Sequence, residues 1–476
     1  MKSKSSFHAL LATILALSPF AHAQGPSTQA NDDLIITSVT RGPILLNNIL
    51  GNDTDPENDP LTITNVSNPQ FGKIEVRRGA TVTVVYTPSR LFQGTDSFVY
   101  RINDRPNGLG NSSTATVTIR NPFLLGRGIY ASSVSGEGGS HDVSGYISAT
   151  VTGGGDFTAV FRFAGASYRF RGRFDLGGNF SGEIARPGLP PLQIALLYAI
   201  NGDTRQISGT VSFGAENVQF SAPKIPWSYF APAPGTGRFT IVLPPPDAAA
   251  TTPQGNGFAA MNVSRSGSIS VTGRTGDNRS FTSFTYVTSD GGDKPVYGII
   301  RGAGTLFGNL SSEGREVRAV RLPGLTGSLR WFAPRNPKRP EFPFGFDLTV
   351  EARGSAYFEP PAGNTVIRVP KTLTTNGFFT AKFGNLPAPR TERATLGNRP
   401  IAGPYSVSFD NSKRLAAKLS ISPRTGTFTG SFYDTRSRRT FRMSGVFVQS
   451  ENKALGLFKA PRKTGQVELV PDVLTD

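Results

Sequence analysis

The chain has 476 residues, with 50 lysines and arginines against 33 aspartates and glutamates and a formal charge of +17. It has no cysteine, which excludes disulfide staples and thiolate metal centres. Of its three histidines, His8 and His22 fall in an N-terminal leader, so zinc sites built from two or three histidines are excluded within one mature chain.

The first residues read MKSKSSFHALLATILALSPFAHAQ. Two lysines, a short apolar run from Ala9 to Leu17 and the A-x-A site Ala21-His22-Ala23 predict a secretory signal peptide over 1–23. The apolar run is too short to span a bilayer, and no later stretch reaches spanning length. An exported chain, secreted or held in the cell envelope without a helical membrane anchor, is therefore expected. Residues 24–33 are expected to form a linker.

From Gln24 to Pro122 there are 9 acidic and 8 basic residues, whereas the chain beyond Pro122 holds 40 basic and 24 acidic ones. That asymmetry predicts a domain boundary near Asn121-Pro122. Gly (54) and Pro (36) accompany plentiful Thr, Val, Ser and Phe, a mixture of turn formers with β-branched and aromatic residues that predicts an all-β fold. Within 34–120, LIITSV, ILLNNIL, LTITNV, KIEV, TVTVVYT, SFVYRIN and STATVTI are seven short runs separated by Gly, Pro, Asn and Asp. Seven strands at this spacing predict an antiparallel sandwich.

The markers follow in the order ILGNDTDPENDPLTITNVSNPQFGKIEV, VVYTPSRLFQGTDSFVYRINDRPNG and TATVTI. Over residues 32–120 this order resembles the bacterial cadherin-like (Ig-like) repeat of surface adhesins, which implies a seven-stranded sandwich and an adhesive role. Pro88 and Gly94 flank Phe92, which is expected to plug one end of the sandwich, with Tyr86, Phe98 and Tyr100 packed inside.

The stretch NDTDPENDP places Asp53, Asp55, Glu57 and Asp59 at every second position of a short turn. Like charges so close repel, and a divalent cation would relieve that repulsion. Hard oxygen ligands at this spacing suit Ca²⁺, with Asp32, Asp33 and Asp104 placed to complete the shell and an affinity of roughly 10⁻⁴ to 10⁻³ M. The resemblance supports a calcium-binding module. The same residues also read as a solvated turn rich in Asx caps, and the loop lacks the glycine, glutamate and flanking helices of an EF-hand.

Beyond Pro122, Gly-x-aromatic starts occur at GIY (128–130), GRF (237–239) and GPY (403–405). Each is followed by a turn-and-strand phrase, TGGGDFTAVFRF, SRSGSISVTGRT and SPRTGTFTGSFY, in which Gly155, Gly267 or Gly426 precedes a small polar residue and then an apolar one. Residues 121–476 are thus expected to form a large basic antiparallel β-meander, an irregular barrel or stacked curved sheets, in units starting near 128, 237 and 403. The phrasing is similar to a poorly characterised Gly/aromatic β-repeat domain of exported bacterial surface proteins. A lipid-facing barrel is not expected, because FRFAGASYRFRGRF carries four arginines in fourteen residues.

The Pro-rich stretch RWFAPRNPKRPEFPFGF (330–346) combines aromatic and basic residues. Trp331, Phe332, Arg335, Lys338 and Arg339 form a candidate surface for sugars or anionic polymers, and the alternative reading is a crossover whose aromatics seal a sheet edge. KIPWSYF (224–230) carries the second tryptophan beside Tyr229. Nothing in these stretches fixes base geometry, so no specific nucleic-acid partner is expected. His141, in GEGGSHDVSG, reads as an exposed loop residue rather than a member of a Ser-His-Asp triad. No phosphate loop, nucleophile elbow or H-E-x-x-H occurs, and no catalysis is expected. The expectation is a non-catalytic adhesion or scaffolding protein that meets a cell-surface protein or polysaccharide. The alternative is an envelope protein that binds anionic glycan through its C-terminal loops.

Overall fold

The computed structural model describes residues 27–79, 82–105, 110–199, 205–246, 251–317, 320–369, 376–397, 405–409 and 415–472. The expected leader, residues 1–23, lies outside them. The described chain is almost entirely β and divides at Asn121–Pro122 into two compact units. No helix among the described residues is long and apolar enough to cross a membrane.

The N-terminal unit contains β1 (Asp33–Ile36), β2 (Ile44–Leu46), β3 (Thr62–Val66), β4 (Gly72–Arg77), β5 (Thr83–Pro88), β6 (Thr95–Asn103) and β7 (Ser112–Arg120). One sheet has the order β1-β7-β6-β3 and the other β2-β5-β4. β1 runs parallel to β7, whereas the remaining pairs are antiparallel. Strict alternation in β6 turns Asp96, Phe98, Tyr100 and Ile102 inward, and they meet Val84 and Tyr86 of the facing sheet in the core. Phe92 is buried with its ring edge-on to Tyr86 at 6.2 Å, so it closes that end as expected.

Asp96 is a buried carboxylate with a full set of donors. The Tyr86 hydroxyl donates to it from the opposite sheet at 2.7 Å, and the backbone N–H groups of Gln70, Phe71 and Ser97 donate at 3.1, 2.9 and 2.9 Å. These bonds offset the desolvation of the charge and tie the sheets together.

The described residues of the second unit form three successive eight-stranded meanders. In the first, the strands from Gly128–Ser135 to Ala166–Arg173 form one four-stranded sheet, and those from Asn179–Arg186 to Glu216–Pro223 form another. One apolar core fills the space between them, and a bridge from Tyr130 to Lys224 joins the last strand to the first. The second meander, from Gly237–Leu243 to Phe346–Ala356, and the third, from Gly377–Phe383 to Lys463–Pro471, are closed and form the second and third barrels, numbered by meander, each with its own apolar core. Inward residues are apolar and outward ones polar; the strand Ala166–Arg173 sends Arg169, Arg171 and Arg173 to solvent. That polarity is the reverse of a lipid-facing barrel.

The recurring glycine phrases are structural equivalents. Gly155, Gly267 and Gly426 have φ of 85, 79 and 68°, in the left-handed region where a Cβ is strained. In the first two, a four-residue turn closes from Gly155 N–H to Thr152 O and from Gly267 N–H to Ser264 O, at 3.2 and 3.0 Å. Each glycine carbonyl then accepts an N–H from beyond the next hairpin: Phe174 at 3.0 Å, Val287 at 2.8 Å and Phe447 at 2.8 Å.

The expected unit start at 403 needs correction. Gly403 lies outside the described residues, and Tyr405 opens the third strand of the third barrel, not the first. The barrel begins instead at a different Gly-x-aromatic phrase, Gly377-Phe378-Phe379, with Phe379 buried and Gly377 paired with Pro471 of the last strand. The second barrel delays that start, because it contains two fourteen-residue strands and the crossover 334–345.

His141 is likewise not an exposed loop residue. It is half-buried where the first meander meets the second barrel, stacked on Phe332 at 4.1 Å with its Nδ1 2.8 Å from Thr305 Oγ1. Burial pulls its pKa down, and Asp142 and Asp347 oppose this only in part. Tyr297 reinforces the seam by donating to Ser144 O at 3.1 Å, as does Tyr286 N–H by donating to Tyr146 Oη at 2.8 Å.

Two substitutions test these constraints. Asp96→Ala leaves the buried Tyr86 hydroxyl and three N–H groups without an acceptor, and should cost about 3 kcal/mol in denaturant unfolding of the N-terminal unit. Gly267→Ala combines a positive φ with a Cβ only 2.5 Å from Trp227 Cδ1. It should cost about 2 kcal/mol or more, and a change below about 0.5 kcal/mol would contradict the role assigned to this turn.

Candidate functional site

The acidic stretch 52–59 is zipped to the segment before β1. Gln29 N–H donates to Thr54 O at 2.8 Å, and Thr54 N–H returns a bond to Gln29 O at 2.9 Å. Asn31 Nδ2 donates to Asn52 O at 2.7 Å, and Thr28 is 3 % exposed. From Thr28 onward the expected linker 24–33 is therefore part of the folded domain.

This zipper sorts the carboxylates into two pairs. Thr28 Oγ1 lies 2.8 Å from Asp55 Oδ2 and 3.2 Å from Asp104 Oδ2, so one hydroxyl joins those two side chains. Asp55 Oδ1 accepts the N–H groups of Glu57 and Asp59 at 3.1 and 2.9 Å, which holds its carboxyl below the usual range, with the Asp59 bond the main cause. Asp104 is 6 % exposed; its Oδ2 accepts Asn111 N–H at 3.1 Å, but its buried Oδ1 has no donor among the described residues.

The second pair surrounds Tyr100. Its hydroxyl oxygen lies 2.9 and 3.0 Å from the two Asp53 oxygens, 2.9 Å from Ile49 O and 3.1 Å from Asn31 O. One O–H proton cannot serve so many acceptors, and Asp33 Oδ2, buried nearby, also lacks a donor. Burial above all, with the neighbouring charges of Asp53 and Asp32, pushes the Asp33 carboxyl up to about 6. Asp53 moves upward too, chiefly through burial.

The seven expected ligands thus do not form one shell. Asp32 accepts Thr116 N–H at 2.7 Å and braces β7, while Glu57 and Asp59 are exposed and contribute backbone N–H groups to Asp55. Among the described residues no three Asp, Glu or His side chains converge on one ion. Period-two spacing lines side chains on one face only where the chain is extended, and 52–59 turns instead, with Asn58 at a φ of 60° and its N–H on Asp55 O at 3.2 Å. Asp53 and Asp55 nevertheless found separate partners. The hydroxyls of Thr28 and Tyr100 were not foreseen as members of the site.

Residues 330–346 also separate. Trp331 is 4 % exposed inside the second barrel, edge-on to Phe346 at 4.8 Å, so it is a core residue and not a sugar platform. Phe332 covers His141. Arg339 is buried against Asp277 and seals the end of the same barrel. Only Arg335 and Lys338 of the expected set face solvent. Within the crossover Phe342 is buried edge-on to Phe346 at 5.4 Å, whereas Phe344 is 81 % exposed.

Residues 24–120 match the family model of the bacterial Ig domain, over the segment that contains all seven strands and both carboxylate pairs. The N-terminal domain is a bacterial Ig-like domain. Comparison with curated proteins finds no match to the chain, and comparison with solved structures finds none either. In the Ig-like domain the acidic loop lies between β2 and β3, and its two pairs are held by the segment Thr28–Asp33 and by Tyr100 and Asp104 of the β6 region.

Because burial raises the folded-state pKa of Asp33, the contribution of this group to the stability of the Ig-like domain falls as pH rises from about 4 to about 6, and its penalty is complete above that window. Solvent screening reduces this penalty to about 1 kcal/mol. In chelator, Asp33→Asn should exceed the parent's stability by that amount at pH 7, with the gap closing near pH 4. A gap that is the same at both pH values would show that ionisation of Asp33 is not its source.

Proposed function

We propose that this chain is a non-catalytic bacterial surface protein that acts in adhesion or scaffolding, with an Ig-like domain braced by a divalent cation. Bacterial Ig-like domains are often carried by exported surface proteins, and the match over 24–120 supports that setting. The observation that carries the cation reading is Asp104: a buried carboxylate with one donorless oxygen, joined through Thr28 to Asp55.

A carboxylate so buried is costly without a counter-charge. Asp55, Asp104 and the Thr28 oxygen are hard donors of the kind Ca²⁺ takes, with water free to fill the rest of its six to eight positions. The donor set is small for calcium, in keeping with an extracellular module of about 10⁻⁴ to 10⁻³ M affinity. When bound, the ion supplies the positive charge that the pair lacks. Thr28 and the Asp55 turn then fix the entry of the chain into β1 and the approach to β3.

Calorimetric titration of Ca²⁺ into the chelator-stripped full chain, paired with its melting curve, tests the reading. At about ten times Kd the Ig-like domain should gain about 1.4 kcal/mol. The gain should vanish in Asp55→Asn and Asp104→Asn and persist in Asp32→Asn, whose carboxylate is bound elsewhere. No heat and no shift at several millimolar would make 52–59 a polar turn with Asp55 as its cap.

A further inference from the structure

The segment that connects the first meander to the second barrel contains Phe230, 93 % exposed and the most exposed large apolar side chain among the described residues, next to Tyr229 at 69 %. Such exposure is unfavourable in an isolated soluble chain, and here the segment is rigid. Trp227 Nε1 donates to Thr288 O at 3.2 Å, and its ring covers the turns at Gly267 and Gly291. Ser228 N–H donates to Ala231 O at 2.8 Å, and Ala231 N–H returns a bond to Ser228 Oγ at 3.0 Å. Pro226, Pro232 and Pro234 restrict the backbone on either side. The cost of ordering the loop therefore falls on folding and not on binding.

A guanidinium is fixed against this tip. Arg265 Cζ lies 4.8 Å from the Tyr229 ring centroid, and its Nε donates to Tyr229 O at 3.0 Å. Ala233 N–H donates to Arg265 O at 2.9 Å, which holds the Arg265 turn beside the loop. The two Nη groups make no hydrogen bond to the described residues. The rings of Tyr229 and Phe230 stand nearly perpendicular, 5.5 Å apart at 87°.

We propose that Tyr229, Phe230 and Arg265 form a binding site for an acidic sugar residue, such as a uronate, within a polysaccharide. The apolar face of a pyranose stacks on Phe230, its edge meets Tyr229, and its carboxylate takes the free Nη groups of Arg265 in a charge-assisted pair. Two rings and one guanidinium are a small footprint beside the roughly 800 Å² per partner of a stable protein interface. Stacking of successive nucleotide bases uses aromatic platforms along a groove, and these perpendicular rings offer a corner for one ring only. The excess of basic residues beyond Pro122, 40 against 24, concentrates an anionic polymer near the site.

The test uses the chelator-treated full chain, so that its outcome is independent of the cation reading. Binding of a hexameric oligogalacturonate is measured by calorimetry, with maltohexaose as the neutral counterpart and phosphatidylglycerol vesicles as a second anionic probe. Oligogalacturonate should bind and maltohexaose should bind more weakly. Phe230→Ala and Arg265→Gln should each lower the uronate affinity about tenfold or more. Both side chains are at the surface tip, and unchanged melting curves would confirm that folding is intact. Arg436→Gln, at an exposed arginine elsewhere, should leave the affinity unchanged. Equal losses in Arg436→Gln, or no uronate binding, would overturn the proposal. Vesicle binding that depends on Phe230 without glycan binding would also overturn it, in favour of a membrane contact.

Discussion

The second unit depends on a left-handed glycine whose carbonyl reaches past its own hairpin. Gly155, Gly267 and Gly426 each leave a turn with positive φ, and each carbonyl accepts an N–H from the end of the following hairpin. A side chain at these positions would raise the conformational energy and, at Gly267, strike Trp227. Small differences in strand stagger accumulate around a meander, and stagger determines whether eight strands close. Recurrence of this bond in all three meanders gives them related geometry despite weak sequence likeness.

Closure then decides where the charge goes. Each meander fills its interior with apolar side chains and leaves arginines and lysines on the outside. Among the described residues Arg339 is buried with Asp277 and Arg390 with Asp434 at 3.0 Å, whereas the buried Lys294 donates to Ser312 Oγ at 2.6 Å. The second and third barrels share a further apolar cluster of Val242, Phe258, Val446, Val448, Leu455 and Leu457, and Thr240 Oγ1 donates to Phe447 O across it at 2.7 Å. With no disulfides, this packing and the His141 seam hold the meanders in register.

The parts of the fold legible in the sequence are those set by local periodicity and turn chemistry. Each of the seven apolar runs of the Ig-like domain overlaps one strand, and the core positions of Tyr86, Phe92, Phe98 and Tyr100 follow from alternation and flanking turns. The glycine phrases were visible for the same reason. Properties fixed by distant chain were not. The start at Gly377 is decided by its pairing with Pro471, and Trp331 and Arg339 are buried against Phe346 and Asp277. The acidic loop was recognisable as unusual, but its division into pairs depends on Thr28 and Tyr100, which lie far from it in the chain. The aromatic tip was half visible in KIPWSYF; the missing element was Arg265, which a separate turn supplies.

The pairing of first and last strands also fixes how each part responds to tension. In both closed barrels these strands are antiparallel, with Gly377 beside Pro471 and Phe239 beside Ala356, so chain entry and exit share one end. Force applied there opens the seam one hydrogen bond at a time, like a zip. In the Ig-like domain β1 is parallel to β7, from Asp33 beside Val117 to Ile36 beside Arg120. Pulling on the two ends of that domain loads the whole ladder in shear, and its bonds must fail together. A chain under load would thus have a stiff leading domain followed by barrels that give way gradually, an arrangement suited to absorbing a sudden pull.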